Sequence, residues 1–187
     1  MAWAARTVRE GRDSDTRELL LDCAARVFAR LGYAHTTIAD IATEAELGRA
    51  TFYVYFASKA AVFLAVANRV RDEVLAVHEL PAAGYLRARV DNRDLLTVIG
   101  HQALDDAQVA AIWQDIRDRP VDRTARHIRH LVEQGKAEPA ASAVAIAHAT
   151  YGIADRFAEL VAAKPALFNQ KAAELAAIYR RLLGVDR

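Results

Sequence analysis

Residues that interrupt helices are scarce in this chain, and they divide it into segments of helix length. Its 187 residues include 8 Gly and 4 Pro against 41 Ala. Ala has the highest helix propensity, whereas Gly and Pro have the lowest. The apolar residues recur at steps of three and four, and no stretch alternates with the period of two that strands require. Because 53% of the residues are hydrophobic, there is enough apolar material for a core. We predict an all-α fold.

Charge and cysteine content exclude several classes of protein. Lys and Arg number 25 against 24 Asp and Glu, and the only cysteine is Cys23, so neither a disulfide framework nor a cysteine zinc site is expected. The longest purely apolar run, 60–67, has eight residues, far short of the roughly 20 that span a bilayer. The N-terminus has three arginines but no apolar run after them, unlike a signal peptide. We expect a cytoplasmic protein without membrane, metal or cofactor.

The glycine and proline residues predict where the helices begin and end. We predict a first helix over 13–31 that ends at Gly32, short helices over 37–45 and 49–56, and a long helix from Ser58 to about Leu80 that Pro81 ends. Thr37 and Ser58 are predicted N-caps, and Asp40 follows Thr37 at capping-box spacing. The segment 80–90 is predicted as a loop. The remaining helices are predicted near 91–104, 108–119, 121–134, 140–162 and 165–183, with Pro120 as a stop signal.

Two short helices joined by a tight turn, beside a longer first helix, suggest a helix-turn-helix. Three motifs strengthen that reading: A-x-x-x-F-x-x-x-G-Y from Ala24, T-T-I-x-x-I-A from Thr36, and T-F-Y-x-Y-F-x-S-K from Thr51. In these motifs the chain resembles the TetR family of bacterial transcriptional regulators. The family's turn usually reads A-G-V-S, and here Glu46 stands in the second position. A left-handed Glu46 costs about 1 kcal/mol relative to Gly.

Seven residues are candidates for DNA contact. Arg49 and Thr51 open the second short helix, where side chains reach base edges in a major groove. The resemblance implies that the positions of Arg49, Ala50 and Thr51 read sequence. It also implies that four others contact the phosphate backbone: Thr37, Tyr53, Tyr55 and Lys59. Two alternatives remain open: the tyrosines could be packing residues, and Arg49 could be a solvated charge. In addition, residues 1–60 hold eight cationic and eight acidic residues, so this region has no net charge to attract DNA.

The resemblance divides the chain into three parts: a flexible arm (1–12), a three-helix helix-turn-helix DNA-binding domain (13–57) and an all-helical effector-binding and dimerisation domain (58–187). Apolar stripes on the last two helices fit a dimer interface with close helix approach. The alternative is that these stripes pack on the body of the same chain. The stripes comprise Ile146, Thr150, Ile153, Phe157 and Leu160, then Phe168, Leu175, Ile178, Tyr179 and Leu182.

A ligand pocket is expected beneath the long helix after Ser58. Its lining should be mainly apolar, which favours a hydrophobic or aromatic effector. Each candidate is also compatible with a core or surface role. The candidates are Phe63, Val66, Val70, Trp113, His148 and Tyr151. A metal at His127 and His130 is disfavoured because the pair lacks a third ligand and lies among arginines.

These observations predict a homodimer that binds a palindromic DNA operator and releases it when a small effector binds. The family's usual mode favours a repressor. The alternative is a helical small-molecule-binding protein or enzyme with a vestigial DNA-binding domain. An enzyme is disfavoured because the chain lacks G-x-S-x-G, H-E-x-x-H and phosphate-binding glycine motifs.

Overall fold

The computed structural model describes residues 2–77 and 83–185, with side chains from residue 13 onward, and within them it contains helices and no strand. The all-α prediction is therefore confirmed for the described residues. A 3-10 turn (Pro165–Leu167) precedes the last helix. The helices are α1 (Ala2–His35), α2 (Ile38–Glu44), α3 (Arg49–Tyr55), α4 (Lys59–Leu75), α5 (Ala83–Asp91), α6 (Arg93–Gln102), α7 (Ala107–Glu133), α8 (Ala143–Ala163) and α9 (Phe168–Leu183).

The first helix is longer than the sequence predicted. It begins at Ala2 instead of Asp13 and bends at Gly32, whose φ of 74° and ψ of 168° are not helical. The positive φ agrees with the prediction that Gly32 ends the regular helix, since an L side chain rarely adopts it. One further turn leads to His35. Whether residues 1–12 act as an arm near DNA remains a prediction.

An aromatic core holds α1, α3 and α4 together. Phe28, Phe52 and Phe63 are each at most 1% exposed. The rings of Phe28 and Phe63 meet edge to face at 5.0 Å, and Phe63 lies 4.8 Å from the ring of Tyr33. Phe56 is also buried there, next to Phe52. Both phenylalanines of the third motif are therefore core residues.

The long helix α4 connects this core to the rest of the protein. Ser58 caps it by accepting a hydrogen bond from the Ala61 N–H at 3.1 Å, as predicted. The helix ends at Leu75, so the predicted end near Leu80 is wrong. Arg123 of α7 accounts for the early end. Its Nη groups donate hydrogen bonds to the carbonyls of Leu75 (3.2 Å) and Val77 (2.6 Å), and these bonds stabilise the non-helical backbone after Leu75.

Two further predictions about secondary structure are wrong. Residues 83–91 form α5 rather than a loop, because Tyr85 and Leu86 are buried against the body and tertiary packing favours the helix. Pro120 lies inside α7 and does not split it. Proline costs about 3 kcal/mol in a helix interior, and this cost is offset by burial of Pro120 itself and of Ile116 and Val121 beside it.

The helices after α4 pack around α7 and α8. Helix α7 contacts α4 on one side and α8 on the other, and α8 also contacts α5 and α9. No single helix in the described ranges is long and apolar enough to cross a membrane. Helices α3 and α4 reach that length only as a pair, and they are bent by 58°.

Candidate nucleic-acid interface and ligand cavity

A capping box fixes the start of α2. The Asp40 N–H donates to the Thr37 hydroxyl oxygen at 3.2 Å, and the Thr37 N–H donates to the Asp40 carboxylate at 2.8 Å. These hydrogen bonds from Thr37 lower the pKa of Asp40. The Thr37 hydroxyl also donates to Asp40 at 2.7 Å. Thr37 is exposed, but its hydroxyl hydrogen is already donated to Asp40, so the predicted phosphate contact by this hydroxyl competes with that hydrogen bond.

The turn between α2 and α3 contains the predicted strain. Glu46 has a φ of 54°, and it is the one non-glycine residue with positive φ within the described residues. The turn closes with hydrogen bonds from the Glu46 N–H to the Thr43 carbonyl and from the Leu47 N–H to the Ala42 carbonyl. Gly48 caps α3 with its backbone alone. The two short helices therefore keep the helix-turn-helix arrangement without the usual turn residues.

Helix α3 exposes one face and buries the other. Arg49 and Ala50 are exposed, Tyr53 is 56% exposed, and Phe52 is fully buried between them. Val54 is 76% exposed on the same short helix, and sequence reasoning missed it because it occupies the variable position of the third motif. An apolar side chain there is suited to the methyl group of thymine.

The two tyrosines of α3 have different environments. Tyr53 is largely exposed, with its ring 5.7 Å from that of Phe52. Tyr55 is half-buried, and its hydroxyl donates to the Asp13 carboxylate on α1 at 3.3 Å. A phosphate contact by Tyr55 competes with that hydrogen bond, whereas Tyr53 needs no rearrangement.

Lys59 joins the start of α4 to the end of α1. Its ammonium donates to the carbonyls of Tyr33 and Thr36, each at 2.9 Å, and lies 4.4 Å from the centre of the Tyr33 ring. An ammonium has three N–H groups, so one remains for a phosphate. Lys59 thus has a structural role in addition to the DNA contact predicted for it.

The charge around α3 is weakly basic. On the neighbouring surface, Glu44 takes hydrogen bonds from Arg26 (3.0 Å) and Arg30 (3.2 Å), which lower its pKa. Those two cations therefore share one carboxylate, whereas Arg49 has no acidic partner among the described side chains. Arg49 is the guanidinium available on the exposed face of α3.

The residues predicted for the ligand pocket are mostly not at a cavity. Phe63, Val66 and Val70 are at most 1% exposed in the core beneath α4, and Tyr151 is 8% exposed. They are packed by other side chains and line none of four surface cavities in the described part of the chain. His148 is exposed on the outside of α8. Of the six candidates, Trp113 is the one that lines one of these four cavities.

That cavity lies among α5, α6, α7 and α8 and has a volume of about 480 Å³. It combines charged and apolar side chains, in contrast to the apolar lining that the sequence suggested. The charged pair Arg89 and Asp155 gave no local signal, because its members are far apart in the chain. The lining residues are Arg89, Arg93, Leu96, Thr97, Gly100, His101, Trp113, Asp155, Ala158 and Glu159.

A buried chain of polar groups leads from this cavity towards α7. Tyr85 donates to Asp155 at 3.3 Å, its ring meets that of Tyr151 edge to face at 4.6 Å, and Tyr151 shares a 2.8 Å hydrogen bond with Thr124. Burial raises the pKa of Asp155, while the Arg89 guanidinium opposes that shift. Within the described residues, no three potential metal ligands come together.

Comparison with known proteins agrees with the helix-turn-helix geometry. Residues 20–66 match the model of the family "Bacterial regulatory proteins, tetR family". The chain is 34% identical over 59 residues to the HTH-type transcriptional regulator YuxN of Bacillus subtilis (strain 168), covering 32% of this chain and 20% of that protein. It is 35% identical over 77 residues to TcmR, an HTH-type transcriptional regulator of Streptomyces glaucescens, covering 41% of this chain and 34% of TcmR.

The matches therefore span about a fifth and a third of the two regulators' lengths. Over nearly the whole chain, the fold resembles the crystal structure of a putative transcriptional regulator from Saccharomonospora viridis in complex with choline. The TM-score is 0.70 at 22% identity, and the match covers 93% of this chain and all of the other.

Proposed function

The chain belongs to the TetR family of bacterial regulatory proteins, and on this premise we propose that it is a homodimeric transcriptional regulator that binds a palindromic operator. A small molecule bound in the C-terminal domain releases the operator, and the protein acts as a repressor, which is the family's usual mode. The observation that carries the proposal is the division of α3: Phe52 anchors the helix, while Arg49, Ala50 and Tyr53 are presented to solvent.

The exposed face of α3 fits a major groove. Arg49 lies at the first position of the helix, where a guanidinium can donate two hydrogen bonds to O6 and N7 of a guanine. Ala50 and Thr51 are small enough for the helix to approach the base edges. Tyr53 and the third N–H of Lys59 are suited to phosphate oxygens, which position the helix without reading sequence.

An operator-binding assay separates these roles. The chain's own upstream DNA and a random duplex are compared for the wild type, Arg49→Ala and Tyr53→Phe. Loss of a bidentate base contact costs about 1–3 kcal/mol on the preferred sequence only, so we expect Arg49→Ala to reduce discrimination. Tyr53→Phe should weaken binding to both duplexes equally. Arg119→Ala, at an exposed site on α7, is the control and should leave both affinities unchanged.

Two outcomes contradict the proposal. If Arg49→Ala weakens binding to both duplexes equally, that residue does not read bases. If the wild type has no preference for any segment of its upstream DNA, the protein is not a specific regulator of that region, and a small-molecule-binding protein with a vestigial DNA-binding domain becomes the better description.

Helices α8 and α9 support the proposed dimer. Part of each predicted stripe packs within the same chain: Ile146, Thr150, Leu175 and Tyr179 are at most 4% exposed. The intrachain alternative therefore applies to these four residues. The other members of the stripes are only half-buried, and exposed small residues lie beside them. The half-buried residues are Ile153, Phe157, Leu160, Phe168, Ile178 and Leu182, and the small ones are Ala145, Ala149, Gly152, Ala173 and Ala177.

Large charged residues at the exposed alanines test this interface without disturbing the monomer core. Ala149→Arg and Ala177→Arg place a guanidinium where two helices must approach closely, so we expect monomers by sedimentation and loss of operator binding, because half-sites are read by paired subunits. Ala111→Arg, at an exposed position of α7, should leave a dimer. Leu175 is unsuitable for this test because it is 1% exposed. A monomeric wild type at micromolar concentration contradicts the proposal.

A further inference from the structure

The cavity among α5, α6, α7 and α8 is large enough for a small organic molecule. Its volume of about 480 Å³ falls within the roughly 300–1,000 Å³ of ligand sites. Helix α6 lines it with residues at steps of three and four, from Arg93 to His101, and α7 contributes Trp113. The chemistry of a ligand then depends on which of the charged groups are still free to bind it.

The acidic groups of the cavity already have partners. One oxygen of Asp155, Oδ1, receives the Arg89 Nε–H at 2.8 Å and the Tyr85 hydroxyl at 3.3 Å. Glu159 is ion-paired with Arg156, one turn earlier on α8. Asp155 is therefore not an unpaired charge, whereas the Arg156–Glu159 pair is 67% and 60% exposed, so water screens it and Glu159 is only weakly paired.

The cationic groups retain binding capacity. Arg89, whose side chain is only 16% exposed, uses Nε for Asp155. Its two Nη groups have no acceptor among the described residues. Arg93 is 3.4 Å from Asp94, and both side chains are more than half exposed, so water screens that pair and it contributes little. Once Asp155 is paired with Arg89, the remaining donors that line the cavity include the Arg89 Nη groups, the Arg93 guanidinium and the His101 ring.

Three apolar side chains also line the cavity. Trp113 packs against α6 at Gly100, where a Cβ atom would lie 3.2 Å from the indole Cζ2. Leu96 and Ala158 are the other two. A tryptophan surface beside guanidiniums favours a molecule with a planar or apolar body and a single anionic group.

We propose that this cavity binds a small organic anion, with its carboxylate held by Arg89 and Arg93 and its apolar body against Trp113. The inference rests on the proposed function, because it names the class of effector for the C-terminal domain. It adds an anionic group to the mainly hydrophobic or aromatic effector that the sequence favoured. A guanidinium and a carboxylate form paired, charge-assisted hydrogen bonds, which give both affinity and orientation.

Three probes that share one ring isolate the effect of charge: phenylacetate, phenylacetamide and benzyltrimethylammonium. The chain has two tryptophans, so Trp3→Phe leaves Trp113 as the fluorescent reporter. Titrations are run at constant ionic strength and without DNA. We expect phenylacetate to bind about tenfold to a hundredfold more tightly than the amide, in keeping with a hydrogen bond between charged groups. The cation should bind most weakly.

Two variants make the test specific for the named residues. Arg93→Gln should remove most of the preference for phenylacetate over the amide, whereas Arg119→Gln, outside the cavity, should keep it. Asp155→Asn removes the negative charge beside Arg89 without changing the shape of the side chain, so phenylacetate should bind more tightly. A cation site predicts the reverse for this variant.

The proposal is overturned if the amide binds as well as phenylacetate. It is also overturned if benzyltrimethylammonium binds best and loses affinity in Asp155→Asn, which indicates a quaternary-ammonium site like that of the choline-bound structural neighbour. Because these titrations contain no DNA, they fail or succeed independently of the operator assay. A protein that binds its operator but no anion retains the proposed function and loses only this inference.

Discussion

The N-terminal helices and the helical body are held together by different kinds of contact. Around α1, α3 and α4, interlocked aromatic rings fill the core, as the 5.0 Å contact between Phe28 and Phe63 illustrates. In the body, Tyr85, Asp155 and Arg89 form a connected polar network next to a cavity. Close packing of rings allows one arrangement, whereas a polar network beside open volume can exchange partners with a ligand. From this difference we expect the N-terminal region to be the more rigid of the two.

Matched truncations in the two regions test this contrast most strongly. Phe28→Ala removes a fully buried ring, so we expect a loss of about 3–5 kcal/mol in the free energy of unfolding. Leu96→Ala, 3% exposed at the cavity wall, should cost about 2 kcal/mol, because its neighbours already border open volume. Urea unfolding measures both. If Leu96→Ala costs as much as Phe28→Ala, the body is packed as tightly as the N-terminal core.

The link between the two regions is the next largest expected effect. Arg123 of α7 donates to the carbonyls of Leu75 and Val77 at the end of α4. Arg123→Met keeps the aliphatic part of the side chain and removes these charged hydrogen bonds, with an expected loss of about 2 kcal/mol. Amide exchange should quicken in the last turn of α4 and remain unchanged at its start. Arg126→Met, at an exposed site one turn away, is the control, and equal effects of the two variants contradict the role of Arg123.

The sequence predicted the N-terminal region better than the body because the determinants there are local. Thr37 and Asp40 are three residues apart, and Glu46 lies within a turn whose conformation the neighbouring motif defines. By contrast, two contacts of the body join residues far apart in the chain. They are the ion pair of Arg89 with Asp155 and the hydrogen bond from Arg123 to the Leu75 carbonyl. The predicted helix end at Pro120 is wrong for the same reason, since burial in the tertiary structure outweighs the local helix-breaking preference of proline.

Strain in the N-terminal turn gives a smaller and opposite effect. Glu46→Gly relieves the positive φ of 54°, and we expect the free energy of unfolding to rise by about 0.5–1 kcal/mol. Glu46→Ala retains the Cβ atom and should bring no gain, which makes it the matched control. Thermal unfolding distinguishes the two variants. If Glu46→Ala raises the free energy of unfolding as much as Glu46→Gly does, removal of the charge and not relief of the backbone strain is responsible.

The smallest effect is expected at a polar group in the body that lacks a partner. The Tyr179 hydroxyl is buried without a hydrogen-bond acceptor or donor among the described atoms, and burial raises its pKa to about 12. Tyr179→Phe should therefore be neutral or stabilising by less than about 1 kcal/mol.

The same variant has a pH signature. An unfolded tyrosine ionises near pH 10, whereas folded Tyr179 keeps its proton to about 12. The wild type should thus lose stability between these values as pH rises, and Tyr179→Phe should lose less. Tyr53→Phe, at a 56% exposed site, should follow the wild type. If the stability of the wild type and of Tyr179→Phe depends on pH in the same way, Tyr179 does not have the raised pKa.

The two cations that hold α4 also imply an order of assembly. Lys59 contacts carbonyls 26 and 23 residues away, at Tyr33 and Thr36, whereas Arg123 contacts carbonyls 48 and 46 residues away. Closing a loop of twice the length costs about 0.6 kcal/mol more in chain entropy. The start of α4 is therefore the first end to be secured during folding, and a nascent chain acquires the α1–α4 contact before α7 has been synthesised. Helices α2 and α3 thus have a stabilised partner before the helical body exists.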